Sequence, residues 1–470
     1  LSLSTVFAFA ATSLPINAVA IAVAVYLPRH YASHLGVSLA AVGAAFFIVR
    51  MIDIPVDGLL GWAMDKTRTR WGRYRFWSVL GAPILMLAIW WLFIPPEGVG
   101  IAYMIVFLLI MYLGNSILAL SHAAWAATLA PSYHDRSRIF GVMTGVGVIG
   151  AAMALAIPII NQARGVPDQH NVETMGWLIV ILTPLTVALM VWRTPERITP
   201  DVPGHRFALK DYWALVARPS MARILAADLC LSLGPGWMAS LYLFFFTASR
   251  GFTTAEASIL LAVYILAGFA GAPLMGRLAM RISKHRAVMV ASTGYSLVLM
   301  SIILVPKGNM VIAFFPMFLA GFLAAGFTVL TRAMTADIAD EVRLEQGKER
   351  SGLLFAITTM TSKIAAAFSI GLTFLVLDMV GYVAKEGAVN TPEAIFNLEL
   401  AYLIGPIVFV MLGGICMIGY RLGEERHADI RRQLDERDAL YDEAPIIESV
   451  SGQAAIAVPG SGVVRLPDAR

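Results

Sequence analysis

Residues Arg50–Arg75 read RMIDIPVDGLLGWAMDKTRTRWGRYR. The first part belongs to a long apolar run that begins near Val37. Within it Arg50, Asp53 and Asp57 stand at spacings of three and four, on one helical face. An ionisable residue costs roughly 2.5–3.5 kcal/mol at a bilayer centre on insertion scales, so such groups mark interior pathways. The second part is a basic turn with Lys66, Arg68, Arg70, Arg73 and Arg75, a density that places this loop on the cytoplasmic side of a membrane.

Outward from this stretch, the 470-residue chain is 58% hydrophobic and 14% charged, where soluble domains average about 25% charged. Mean hydropathy is +0.74. Apolar runs of about 20 residues, enough to cross a bilayer, recur along most of the chain, and the short alternating segments of a membrane barrel are absent. The expected fold class is an all-α polytopic membrane protein. A net charge of +4 does not point to nucleic acid, because the basic residues fall mostly in short loops. Cys230 and Cys416 both lie in apolar runs, which argues against a disulfide framework or a thiolate metal site. The first apolar segment has no charged n-region and no small-residue cleavage site, so a retained helix is expected.

Twelve spans are predicted, at approximately 5–27, 37–63, 76–95, 100–129, 138–162, 174–193, 221–248, 255–280, 286–306, 310–335, 352–382 and 400–422. A polar connector, 194–219, with Pro195, Pro200, Pro203 and Pro219, separates two six-helix halves, 1–193 and 220–422. Basic clusters follow even-numbered spans, so both termini and the connector are expected in the cytoplasm. Gly61–Arg75 has a counterpart in Gly276–Arg286, and Pro131–Gly141 one in Asp340–Gly352, in matching order within each half. Parallel repeats of this kind are a transporter design with substrate held near the midplane. The tail, 423–470, reads as a charged cytoplasmic helix followed by a Gly/Pro/Ser-containing end without fixed structure.

Asp53 and Asp57 are the leading candidates for chemistry, since neighbouring carboxylates can hold a cation or share a proton. A structural pair neutralised by Arg50 is the plainer alternative. Pro55 between them removes one backbone N–H. Lys363 lies about 11 residues into an otherwise apolar span, too deep to snorkel, and requires a buried carboxylate partner such as Asp53 or Asp57. Asn17, Ser121, His122, Trp125 and Trp237, with Asn115 and Ser116, are the polar and aromatic groups suited to a sugar ring. For the tryptophans the alternative is a membrane-interface belt, and for His122 a satisfied interior histidine. Gly145, Gly147, Gly150, Gly268 and Gly271 read as close helix packing. No P-loop, HExxH, GxSxG or dinucleotide fingerprint occurs, which leaves ATP-driven transport and these enzyme classes unsupported.

DIPVDGLLGWAMDKTRTRWGRYRFW resembles the glycoside–pentoside–hexuronide:cation symporter family of the major facilitator superfamily, through Asp53, Asp57, Gly61, Asp65, Thr67, Arg70, Trp71, Gly72 and Arg73. YLPRHYASHLGVS, LAPSYHDRSRIFG and DIADEVRLEQGKERSGLLFA support the likeness, which covers all twelve spans. It implies a major facilitator fold, with Asp53 and Asp57 as cation-coupling carboxylates, Lys363 as the intramembrane lysine, Trp125 at the substrate site, and Asp65, Arg70 and Arg73 in a cytoplasmic gate motif; Arg50, on the face of the two acids, is a further candidate for substrate binding. A sugar permease of that family has acidic residues where this chain has Asn17 and Ser121, and an arginine where it has Val146. That permease also places amide and hydroxyl side chains at its cation site where this chain has Val56 and Leu118. The expected function is secondary active import of a sugar, glycoside or related polar solute, coupled to a cation, proton rather than sodium. The rivals are transport of a lipid-like or carboxylated molecule by the same fold, and a transport-dead sensor. No cofactor, metal or nucleic-acid partner is expected, and the chain is expected to be a monomer in the inner membrane.

Overall fold

The structure is a computed structural model that describes residues 3–67, 69–129, 133–196, 215–346, 351–442, 446–447, 454–457 and 463–465. The helices in chain order are α1 Leu3–Ser33, α2 Leu39–Lys66, α3 Tyr74–Phe93, α4 Ile101–Leu129, α5 Tyr133–Ala163 and α6 Asn171–Arg193. The second set is α7 Pro219–Ser249, α8 Thr254–Ile282, α9 Lys284–Ile302, α10 Met310–Gln346, α11 Ser351–Met379 and α12 Pro392–Ile415, followed by a tail helix α13 Glu424–Asp442. Among the described residues eleven helices are long and apolar enough to cross a membrane. The twelfth, α9, begins with Lys284, His285 and Arg286, and its apolar remainder packs between α10 and α12. An even number of crossings puts the start of α1 and the end of α12 on one side of the bundle, the terminal face.

Local chemistry sets several ends. Ser38 caps α2 by accepting from Ala41 N at 3.3 Å, and Thr253 and Glu256 form a reciprocal capping box on α8. The last span begins at Pro392 rather than 400, because Thr391 caps it and Pro392 takes the first turn, where no N–H is needed. Its early polar residue Glu399 is neutralised by Arg250 at 3.0 Å. α10 continues to Gln346, past the expected end at 335, because its polar last turns carry Asp337, Asp340 and Glu341 toward basic partners. Three short strands, Ile446–Ile447, Ala454–Ala457 and Val463–Arg465, pair antiparallel in the tail, where β-branched residues supply the pleated surface.

The same pairings recur in both halves. α1 packs on α5 as α7 packs on α11, α3 on α4 as α9 on α10, α3 on α6 as α9 on α12, and α2 on α4 as α8 on α10. Between halves, α2 meets α11, α5 meets α8, and α1 meets α7. Among the described residues the bundle is thus twelve helices in two six-helix halves, with α13 outside it. Gly150 brings α5 against the Leu14 backbone of α1, with no room for a β-carbon, and Gly147 lies against the Asn17 side chain. Gly145, expected to pack closely, has open space beside it because it faces away from α1.

Opposite the terminal face the halves are sealed. Tyr26 Oη lies 2.6 Å from Ser258 Oγ, Thr254 Oγ1 donates to Asp168 at 2.8 Å, and Arg29 donates to Thr254 at 3.1 Å. Glu386 N donates to Ser33 O at 3.0 Å, and His34 Nδ1 meets Glu386 at 2.7 Å.

Candidate functional site

α2 presents Arg50, Asp53 and Asp57 toward α4 and α11, and these two helices complete the site. Asp53 is 3% exposed. Its Oδ2 accepts from Arg50 at 3.0 Å and lies 3.4 Å from Lys363 Nζ, while Oδ1 accepts from Ser116 at 3.2 Å. Lys363 also pairs with Asp57 across the interface of the two halves. The Arg50 guanidinium stands 4.4 Å over the Tyr112 ring, which holds it against α4. Two cations thus face two carboxylates, a balance that removes the penalty of a lone buried charge. Pro55 is accommodated inside continuous helix between the two acids.

Beside this quartet lies a cavity of about 320 Å³ between the halves. Arg50, Asn115, Ser232, Ser240, Ser362 and Ser369 give it polar groups, and Phe46, Val23 and Ile370 give it apolar faces. Val23 belongs to a π-helical turn, Ala22–Tyr26, which re-aims α1 between the cavity and the Tyr26–Ser258 seal. Asn115 Oδ1 and Asp57 Oδ1 are buried with no hydrogen-bond partner among the described residues, so each has a free acceptor site.

The structure brings together Arg50, Asp53, Asp57 and Lys363. It also places Asn115 on the cavity wall and Ser116 against Asp53, and gives Asn17, Ser121, His122, Trp125 and Trp237 packing contacts elsewhere. Asn17 Nδ2 donates to Ser13 O at 2.9 Å and lies on Gly147. Ser121 Oγ lies 2.9 Å from Ser78 Oγ and ties α4 to α3. His122 Nε2 lies 3.0 Å from Phe9 O, and its ring leans on Phe9. Trp125 is fully buried in an apolar cluster with Val6, Phe9 and Tyr74, and its Nε1 donates toward Pro195 O at 3.4 Å. Trp237 Nε1 donates to Ala401 O at 2.9 Å and anchors α12. Tyr112, Ser232, Ser240, Ser362 and Ser369 are residues of the site that the sequence analysis does not name. Tyr112, Asn115 and Ser116 recur at helical spacing in an apolar span, which was the available signal.

In the gate motif, the Asp65 side chain and Arg68 lie outside the described residues. Arg70 is exposed. Glu196, from beyond α6, caps α3 by accepting from Arg73 N at 2.6 Å, Tyr74 N at 2.8 Å and Arg75 N at 3.0 Å. Gly72, at φ +107°, is the residue this turn requires, and the Glu196 carboxylate occupies the space a β-carbon would need.

The family model for MFS/sugar transport protein matches residues 8–424, and the chain belongs to that family of membrane transporters. It is 26% identical to the uncharacterized symporter YnaJ of Bacillus subtilis, over 92% of this chain and 95% of that one. It is 22% identical to the isoprimeverose transporter of Lactiplantibacillus pentosus, over 90% of each chain. It is also 22% identical to the sodium-dependent lysophosphatidylcholine symporter 1-B of Danio rerio, over 83% of this chain and 82% of that one. The fold matches the nucleoside transporter NupG with a TM-score of 0.66 at 14% identity, covering 89% of this chain and 100% of that structure.

Proposed function

We propose that the protein is a secondary active symporter that imports a sugar or glycoside by alternating access, coupled to a proton bound at the Asp53–Asp57 pair. The observation that carries this is the Lys363–Asp57 ion pair, a titratable contact between the two halves beside a polar cavity. A proton on Asp57 removes one of the two charges that hold Lys363 and leaves it with Asp53. Release of that proton restores the pair, so protonation and the approach of the halves are linked. The cavity suits a sugar, with hydroxyls and Asn115 for its edges and apolar walls for its faces. Lysophosphatidylcholine transport by a relative of similar identity is the rival substrate class.

In this proposal residues 1–193 and 220–422 are the two halves, joined by a cytoplasmic connector, 194–219. The terminal face is cytoplasmic, because the basic turn Lys66–Arg75 lies there. The sealed side then faces outward. Single cysteines at Thr69 and Glu97 in intact cells test the orientation: an impermeant reagent labels the second and spares the first, and the reverse pattern overturns it. The function is tested in proteoliposomes with a glycoside, pentose and uronate panel under imposed ion gradients, with lysophosphatidylcholine as a further arm. Uphill accumulation of a panel sugar supports the proposal. Transport of the lipid alone overturns the substrate class, and downhill movement indifferent to any cation gradient overturns symport.

A further inference from the structure

Asp228 lies on α7, which occupies in the second half the place of α1 in the first, and it is 8% exposed. Its Oδ1 accepts from Thr331 Oγ1 of α10 at 3.1 Å, and its Oδ2 from Ser362 Oγ of α11 at 3.1 Å. Among the described residues it has no ion pair. The positive charge of Arg332 on α10 reaches it without forming an ion pair, and a buried carboxylate lacking a direct cation partner is costly as an anion unless its hydrogen bonds are complete.

Hydrogen counting shows that this site accepts either charge state. Each hydroxyl has one hydrogen to give and can also accept. Thr331 Oγ1 lies 2.9 Å from Phe327 O, and Ser362 Oγ lies 3.3 Å from Thr358 O, so each can turn back to its own helix. With Asp228 ionised, both hydroxyls donate to it. With Asp228 protonated, one hydroxyl turns to its helix carbonyl and accepts the carboxyl hydrogen. Neither state leaves a buried polar atom unpaired.

The site also has a route to water. Ser362 is exposed and lines the central cavity, and Ser232, one turn along α7 from Asp228, lines it too. α11 places Ser362 against Asp228 and the next residue, Lys363, against Asp53 and Asp57. The charged groups nearest in sequence to its contacts are Arg332, beside Thr331 on α10, and Lys363 on α11. Of the other helices on α7, α12 carries Glu393 and Glu399 in its first turns, and α1 carries Arg29 and His30 near its end.

We propose that Asp228 is a second proton-binding site, in the second half, reached from the central cavity through Ser362. Its role in coupling rests on the symporter reading; the binding itself is tested without transport. Infrared pH titration of the purified full chain reads the carbonyl band of a protonated carboxyl group. The band is expected to titrate in the parent, Asp53→Asn and Asp57→Asn proteins, and to lose one component in Asp228→Asn. An unchanged band in Asp228→Asn, or a component that responds to sodium at fixed pH and not to protons, overturns the proposal. Should Asp228→Asn fail to fold, Ser362→Ala decides. It keeps the carboxyl but removes a donor to the ionised form, and should raise the midpoint by about one pH unit. An unmoved midpoint overturns the proposal. Uptake lost in Asp53→Asn with the Asp228 signal intact leaves this inference standing. A missing Asp228 signal with coupled uptake intact overturns it and leaves symport untouched.

Discussion

Lys363 of α11 and Asp57 of α2 form an ion pair across the two halves, while Asp53 beside them also accepts from Arg50 and Ser116. The two acids are therefore not equivalent. Asp53→Asn leaves Arg50 without its carboxylate partner, whereas Asp57→Asn leaves both Arg50 and Lys363 within reach of Asp53, at 3.0 and 3.4 Å. Breaking a buried pair costs about 3–5 kcal/mol, and Asp53→Asn should approach that range while Asp57→Asn costs less. Adding Lys363→Ala to Asp57→Asn leaves Asp53 paired with Arg50 and no charge unpaired, and should recover most of that variant's loss. Thermal unfolding in detergent ranks the three proteins, and an equal loss in both single variants contradicts the assignment. Both single variants should also lose uphill transport.

The seal opposite the terminal face predicts a reversible lock. The backbone hydrogen bond from Glu386 N to Ser33 O places these residues within disulfide reach. Cys230 and Cys416 lie elsewhere, one on α7 and the other just past α12, and both are half-buried. Oxidising a Ser33→Cys/Glu386→Cys protein should abolish uptake, and reductant should restore it. Uptake that continues through a completely formed cross-link would show that this face does not open.

α13 docks on the end of α10. His427 meets Asp340 at 3.0 Å and Asp337 at 3.4 Å, and Arg431 meets Asp340 at 3.5 Å, while Ile430 and Leu434 are buried. Partly exposed ion pairs contribute about 0–1 kcal/mol, and a buried leucine about 1.5–3 kcal/mol. Leu434→Ala should therefore release the helix more than Arg431→Ala does. Hydrogen exchange over 424–436 measures this, and the opposite order would mean that charge holds the helix.

Apolar run length made the helices legible in sequence, and the spacing of Arg50, Asp53 and Asp57 gave the charged face. The depth of Lys363 required a carboxylate partner, and α2 supplies it. What sequence could not supply was direction. Asn17, His122 and Trp125 are polar or aromatic in apolar spans, as cavity residues are, yet tertiary packing turns them to Gly147, Phe9 and the Tyr74 cluster. Asp228 stands near the start of α7, where an acid reads as an interface residue, and only the approach of Thr331 and Ser362 distinguishes it. Glu196 lies outside every span, and its capping of α3 depends on a contact more than a hundred residues away in sequence.

The coupling ion is the last expectation, and the quartet favours a proton. Sodium gives up hydration water on binding and needs several oxygens at fixed distances in exchange. Here the Lys363 ammonium already stands between Asp57 and Asp53, where a bound cation would otherwise bridge them. Asp53 is further occupied by Arg50 and Ser116, and Val56 and Leu118 offer no side-chain oxygen. A proton needs one carboxylate oxygen, and Asp57 Oδ1 is free to take it. In the proposed mechanism a proton on Asp57 neutralises its ion pair with Lys363, which ties proton release to the approach of the halves. Uptake of a transported panel sugar should follow an imposed pH gradient without sodium, collapse with a protonophore, and ignore a sodium gradient at fixed pH. Uptake that follows sodium and survives the protonophore would assign the free acceptors Asn115 Oδ1 and Asp57 Oδ1 to a metal cation instead.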